Sequence, residues 1–314
     1  MQHFPNPFIP QRADPFILQV EGGYYFTASV PEYDRIVLRY SPDLLGLPQA
    51  QEHTVWVKHE NGPMSDLIWA PELHFIDGAW YIYFAAAPNR EIAYHAFQHR
   101  MYVLCCHDAD PITGKWEELG QMVTSMDTFS LDATTFCHKG KHYYLWAQQD
   151  RSIPGNSNLY LAPLVNGWTL ENKQIMLTKP EFAWECKGFL VNEGPAVLQR
   201  HGKVFVFYSA AATDENYCIG LLWADANADL MDSNSWHKAK EPIFTTSYEN
   251  QQYGPGHCSV TRAEDGTDLL VYHCRSYREI EGDPLWNPDR HCRIKNIAWD
   301  DAGFPVLGVP PQDD

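Results

Sequence analysis

No stretch of this 314-residue chain is apolar for anything near the roughly 18 residues that would mark a membrane-spanning helix. Its first residues, MQHFPNPFIPQRADPF, hold no basic cluster, no apolar core and no small-residue cleavage site. Read as a complete chain, it is expected to have no membrane partner and to stay in the cytoplasm. Cys-x-x-Cys is missing, and the adjacent Cys105 and Cys106 are poorly spaced for zinc. Eight cysteines in a chain this large suit reduced, buried thiols better than a disulfide framework. Basic residues are few, 23 against 40 acidic ones, and the net charge of −17 disfavours a nucleic-acid backbone or an anionic bilayer as partner. Neither Gly-x-Ser-x-Gly nor a Gly-rich phosphate loop occurs, which argues against serine hydrolases and nucleotide enzymes. Helical periodicity is almost absent. His95 and His99 in EIAYHAFQHRMY stand four apart, but that segment reads as loop or strand, not as a metal-binding helix.

What fills the chain is aromatic strand. With 11 Trp and 17 Tyr, it carries short runs such as YYFTASV, WYIYFAAA, HYYLWAQ, VFVFYSAA and DLLVYHC. Each follows a short polar turn with glycine (EGG, DG, KGK, HGK, EDGT), and each turn follows another strand, so a hairpin recurs five times. Counting back eight or nine residues from the turn glycines reaches Asp14, Ala70, Asp132, Glu193 and His257, which are 56, 62, 61 and 64 residues apart. A period near 60 in an all-β chain predicts a five-bladed β-propeller with four antiparallel strands per blade, a single catalytic domain over residues 1–314. The inner strands of a propeller line its central channel and their starts meet at one mouth. Three carboxylates and a histidine gathered there would raise one another's proton affinity, so a role in chemistry or cation binding is expected of them.

Two carboxyl groups across a pocket, one protonated and one ionised, are the equipment of glycoside hydrolysis. A third beside the acid would raise its pKa and orient it. Separation across the channel leaves room for a water molecule, which favours inversion of the anomeric centre. Abundant Trp and Tyr suit the packing of sugar faces.

The segments RADPFI, IWAPELHFIDGAWYIYFAA, SLDATTF, VNEGPAVL, GPGHCSV and AWDDAGFPV resemble glycoside hydrolase family 43, one motif per blade over nearly the whole chain. That family's fold is a five-bladed propeller and its mechanism is inverting. The resemblance implies Asp14 as general base, Glu193 as general acid and Asp132 as the residue that modulates the acid's pKa. It implies that Trp69 packs on the sugar, that Arg290 (with Arg293 in reserve) meets its hydroxyls, and that His257 lies near a channel cation. The cation would be calcium or sodium, held largely through water because a hard ion prefers oxygen ligands. No cofactor is needed for the chemistry itself.

Family membership leaves the sugar open. The chain has no room for the appended sandwich domain of many β-xylosidases in the family, and without export its substrate would be a small, imported oligosaccharide. Similarity over RADPFI and EYDRIVLRYS is greatest to exo-acting α-L-arabinofuranosidases. The expected activity is therefore release of terminal arabinofuranose from short, 1,5-linked arabino-oligosaccharides. The alternatives are a β-D-xylosidase or bifunctional enzyme and, in a different class, a non-catalytic carbohydrate-binding propeller.

Overall fold

Strands of alternating side-chain direction account for the architecture. In VFVFYSA the side chains of Val204, Val206 and Tyr208 face one neighbouring blade, whereas Phe205 and Phe207 face the other, and all five are buried. The same alternation splits Tyr81 and Tyr83 from Trp80, Ile82 and Phe84 two repeats earlier in the ring. A strand with two apolar faces needs a sheet on each side. Each buried aliphatic or aromatic side chain contributes about 1.5–3 kcal/mol, and the chain meets the demand by setting five sheets around one axis.

The computed structural model describes residues 3–314 and is a five-bladed β-propeller. The first blade is Ala13–Val20, Gly23–Ser29, Arg35–Ser41 and His53–Val57, and the second Asp66–Ile76, Ala79–Ala87, Arg100–Cys106 and Glu117–Gln121. The third runs Ser130–His138, Lys141–Gln148, Asn158–Asn166 and Ile175–Thr178, with Thr169–Leu170 as a side hairpin. The fourth is Asn192–Arg200, Lys203–Ala210, Cys218–Asp225 and His237–Lys238. The fifth has three strands, Tyr253–Arg262, Asp268–Arg275 and His291–Asn296. Its outer edge is covered from the other end of the chain: the Phe8 and Ile9 amides donate to the Cys292 carbonyl, and the Cys292 amide donates to Ile9. Each inner strand touches those of both flanking blades, last to first, which closes the ring. The described residues contain no α-helix, only three short 3-10 turns.

The turn glycines behave as their sequence implies. Asp77-Gly78, Lys139-Gly140 and His201-Gly202 all have positive φ at both residues, the type I′ conformation that suits the twist of a two-residue hairpin.

A second regularity was not legible. In every blade three residues of the inner strand oppose two of its neighbour, a one-residue bulge near the strand's start. Asp14, Ala70, Asp132, Gly194 and His257 occupy these bulges, all with φ between 38° and 53°. Glu193 is therefore not the repeat equivalent of Asp14 and Asp132, as the spacing suggested. It stands one residue earlier, paired with Ser209, at the position that Trp69 holds in the second blade, paired with Ala85.

Candidate active site

Bulges turn side chains out of the regular pleat and toward the channel mouth, and neighbouring blades hold them there. Ser29 Oγ donates to Asp14 Oδ2 (2.5 Å) and accepts the Ala70 amide (2.8 Å). Asp132 Oδ2 accepts the Gly194 amide (2.9 Å), and Ser209 Oγ accepts that of His257 (2.7 Å). His273 Nδ1 accepts the Asp14 amide (3.0 Å) and so carries its own proton on Nε2. These bonds tie blade to blade around the mouth, which fixes the groups they anchor.

The result is a pocket of about 220 Å3, below the usual range for drug-sized ligands and suited to one small sugar ring. Asp14, Asp132, Glu193, His257, Arg290 and Trp69 all line it. Its walls come from a two-strand hairpin, Ile92–Ala93 with Ala96–Phe97, and from Phe129, Phe189 and Leu285. Tyr94 and His95 form the tip of that hairpin, both at positive φ, so the segment is strand and turn. A larger cavity, about 300 Å3, opens at the opposite end of the channel around Glu72 and His74, but none of the three carboxylates lines it.

The carboxylates differ in acidity. Burial pushes Asp14 up, but the neighbouring His257, Arg290 and His273, with the Ser29 bond, outweigh it and hold the group at about 2. The nearest approaches to Asp14 Oδ1 are His257 Nδ1 at 3.3 Å, His273 Nδ1 at 3.4 Å and Arg290 Nη1 at 3.7 Å. Burial drives Glu193 to about 7; the Tyr217 bond and Arg290 act against that and the Asp14 charge acts with it. Asp132 is raised well above the ordinary range, by burial first and then by the charges of Glu193 and Asp14. Near neutral pH the site thus holds one ionised carboxylate, Asp14, and a neighbouring pair that retains a proton.

Arg290 and Arg293 part company. Arg290, just before the strand His291–Asn296, donates to the Tyr33 hydroxyl (2.6 Å) and enters the pocket. Arg293 turns to the opposite side and is fully buried, held by Asp313, Ser276 Oγ and the Cys274 carbonyl, away from the pocket lining. Three residues of extended chain put the two on opposite faces, so the reserve assignment of Arg293 to the sugar is corrected: its place is at the C-terminal tail. Trp69 stacks on His99 at 3.9 Å and meets Phe97 and Tyr33 edge-on. Burial keeps His99 neutral, at about 3, with Nε2 bonded to the Leu67 carbonyl.

His257 faces both Asp14 and Asp132, its Nδ1 lying 3.5 Å from the latter, and burial lowers its pKa. Among the described residues no three His, Cys, Asp or Glu side chains are gathered so as to hold a metal ion. The donor set does not fit a directly ligated cation. Sequence reasoning missed Ser29, Tyr33, Tyr217, His273 and the wall hairpin. All lie outside the inner-strand repeat, and no spacing marks them.

The class these features define is that of five-bladed propellers with a carboxylate pocket at the channel mouth. Within it, the chain belongs to family 43 of the glycosyl hydrolases, whose model matches residues 4–305. A crystal structure of an α-L-arabinofuranosidase from Lactobacillus brevis is 52% identical, with a TM-score of 0.97 over 99% of this chain and 98% of that one. An extracellular exo-α-(1→5)-L-arabinofuranosidase of Streptomyces avermitilis is 49% identical over 312 residues, 99% of this chain and 64% of the relative. Another of that name, from Streptomyces chartreusis, is 51% identical over 90% of this chain and 85% of its own length. The chain thus spans less than two thirds of the Streptomyces avermitilis relative.

The two extracellular names overturn the expectation of a cytoplasmic protein. That expectation rested on a leader missing from the first residues, and where this sequence begins carries no information about export. The argument from import to a small substrate falls with it.

Proposed function

We propose that this chain is an inverting, exo-acting α-L-arabinofuranosidase that removes terminal arabinofuranose from 1,5-linked arabino-oligosaccharides. The observation that carries the reading is the division of acidity in a pocket sized for one sugar: Asp14 at about 2 and Glu193 at about 7. In this reading the terminal sugar lies against Trp69, with Arg290 donating to its hydroxyls. Glu193 gives its proton to the glycosidic oxygen as the bond to the anomeric carbon breaks. Asp14 takes a proton from a water molecule attacking the opposite face, which leaves the product anomer inverted. Asp132, coupled to the acid in a pair that retains one proton, modulates its acidity and orients the Glu193 backbone through the Gly194 amide. The small volume of the pocket, sized for one ring, favours a chain end over a mid-chain cut, and the activities named for the similar proteins point to arabinose.

The test is hydrolysis of 4-nitrophenyl α-L-arabinofuranoside beside 4-nitrophenyl β-D-xyloside and 1,5-arabinotriose, with proton NMR of the first-formed sugar. Arabinoside preference and an inverted anomer are expected, and Glu193→Gln should lower kcat on arabinotriose about 100-fold or more. Xyloside preference would shift the substrate to the xylosidase alternative, and a retained anomer would overturn the water mechanism.

A further inference from the structure

Tyr217 stands at the foot of the pocket, 2% exposed, and its hydroxyl donates to Glu193 Oε1 at 2.8 Å. It immediately precedes the third strand of the fourth blade, yet its ring reaches back to the channel. A turn prepares this: Asp214 Oδ1 accepts from the Asn216 amide and side chain, and the Tyr217 amide donates to the Asp214 carbonyl. The fifth blade is cut away to admit both turn and ring. A Cβ on Gly256 would lie 2.2 Å from the Tyr217 ring, and one on Gly254, at φ +62°, would lie 2.2 Å from the Asp214 carbonyl. The Gly-Pro-Gly ahead of His257 thus makes room for the phenol. On its other face the ring lies parallel to His273, with centroids 5.8 Å apart and planes within 7°, and His273 holds the Asp14 amide.

We infer that Tyr217 is the positioning residue of the acid: it clamps Glu193 Oε1 so that the transferable proton sits on Oε2, aimed at the leaving oxygen. The inference rests on Glu193 acting as the general acid. A phenol has one hydrogen to give. Burial raises the Tyr217 pKa well above 10, so that hydrogen stays on the hydroxyl. An oxygen that receives it is a poor site for a second proton, and rotation of the carboxyl group is stopped. As the glycosidic bond breaks, the same bond stabilises the carboxylate being formed. The charged and titratable groups lining the pocket with Glu193 and Tyr217 are Asp14, His95, Asp132, His257, Asp283 and Arg290, with His273 behind the Tyr217 ring, and none of these has a hydrogen bond to Oε1.

Tyr217→Phe keeps the ring, its stack on His273 and its fit against Gly256, and removes the hydroxyl alone. It should lower kcat/KM on 1,5-arabinotriose, whose leaving group needs the proton, by about tenfold or more. The loss on 4-nitrophenyl arabinofuranoside, whose leaving group needs it little, should stay within about threefold. The basic limb of the pH profile should move up, because a bond favouring ionised Glu193 is gone. Gly256→Ala, which displaces the ring and keeps the hydroxyl, should show the same split between substrates. Equal losses on both substrates with an unmoved limb, or wild-type rates in both variants beside an inactive Glu193→Gln, would overturn the role of Tyr217 alone. Wild-type rates in Glu193→Gln on arabinotriose would overturn the acid assignment and this inference with it.

Discussion

Replacing Glu193 by Gln should make the protein more stable at alkaline pH while disabling it. Glu193 takes up its proton at about 7 in the folded chain against an ordinary value of 4.5. Below pH 4.5 folded and unfolded chains both hold the proton, and the group contributes nothing to the difference. Between pH 4.5 and 7 only the folded chain holds it, so stability falls as pH rises, and above 7 the full deficit stays. At about 1.4 kcal/mol per pH unit, a displacement of roughly 2.5 units is worth about 3 kcal/mol. Glu193 keeps one face open to pocket water, so screening makes this the upper end. Glutamine has the same shape, its carbonyl can still accept the Tyr217 hydroxyl, and it has no charge to hold. Urea unfolding of wild type and variant at pH 4.5 and 8.5 measures the effect. The variant's advantage should grow by up to about 3 kcal/mol between the two pH values. A gap that does not change with pH would show that folding does not raise the pKa of this group, and the division of labour with Asp14 would lose its physical basis. Stability given up at a site for the sake of its chemistry is the general pattern.

Asp14 should act in the opposite sense. Held at about 2 against an ordinary 3.8, it stabilises the fold above pH 4, and about 2 kcal/mol of that is lost as pH falls to 2. Acid unfolding of Asp14→Asn should lack that part of the slope, and equal slopes would contradict it. Asp313→Ala leaves the fully buried Arg293 without its carboxylate and should cost about 3 kcal/mol, read as a lower melting temperature, with KM for the aryl arabinofuranoside unchanged. A raised KM would return Arg293 to the pocket.

The propeller was legible because its signal is local and repeated. A type I′ turn demands residues that tolerate positive φ, and the strands on either side alternate between two blades, so each hairpin announces itself. Ring closure was not legible, since it joins Ile9 to Cys292 across the whole chain and uses plain backbone hydrogen bonds. Tyr217 and His273 were hidden for a related reason. They reach the site from the turn before a third strand and from a second strand, where nothing in the spacing distinguishes them from core aromatics.

The error over Glu193 shows what a repeat count leaves out. Eight residues back from Gly202 is Gly194, as eight back from Gly22, Gly78 and Gly140 are Asp14, Ala70 and Asp132. Allowing a ninth residue placed the carboxylate in the series and hid the bulge. The structure has two tiers at the mouth, the bulge residue and the residue before it, and each blade fills them in its own way. The first and fifth blades put a small residue first and a functional one at the bulge: Ala13 then Asp14, Gly256 then His257. The second and fourth reverse this, with Trp69 then Ala70 and Glu193 then Gly194, and the third fills both with Leu131 and Asp132. The pattern follows from space. A Cβ on Gly194 would lie 3.2 Å from the His257 ring, so a carboxylate residue at the fourth blade's bulge would crowd that imidazole. Moving it back by one residue sets Glu193 against the Tyr217 hydroxyl without the two histidines that act on Asp14, and this difference in surroundings is what separates the acidities of the two carboxylates.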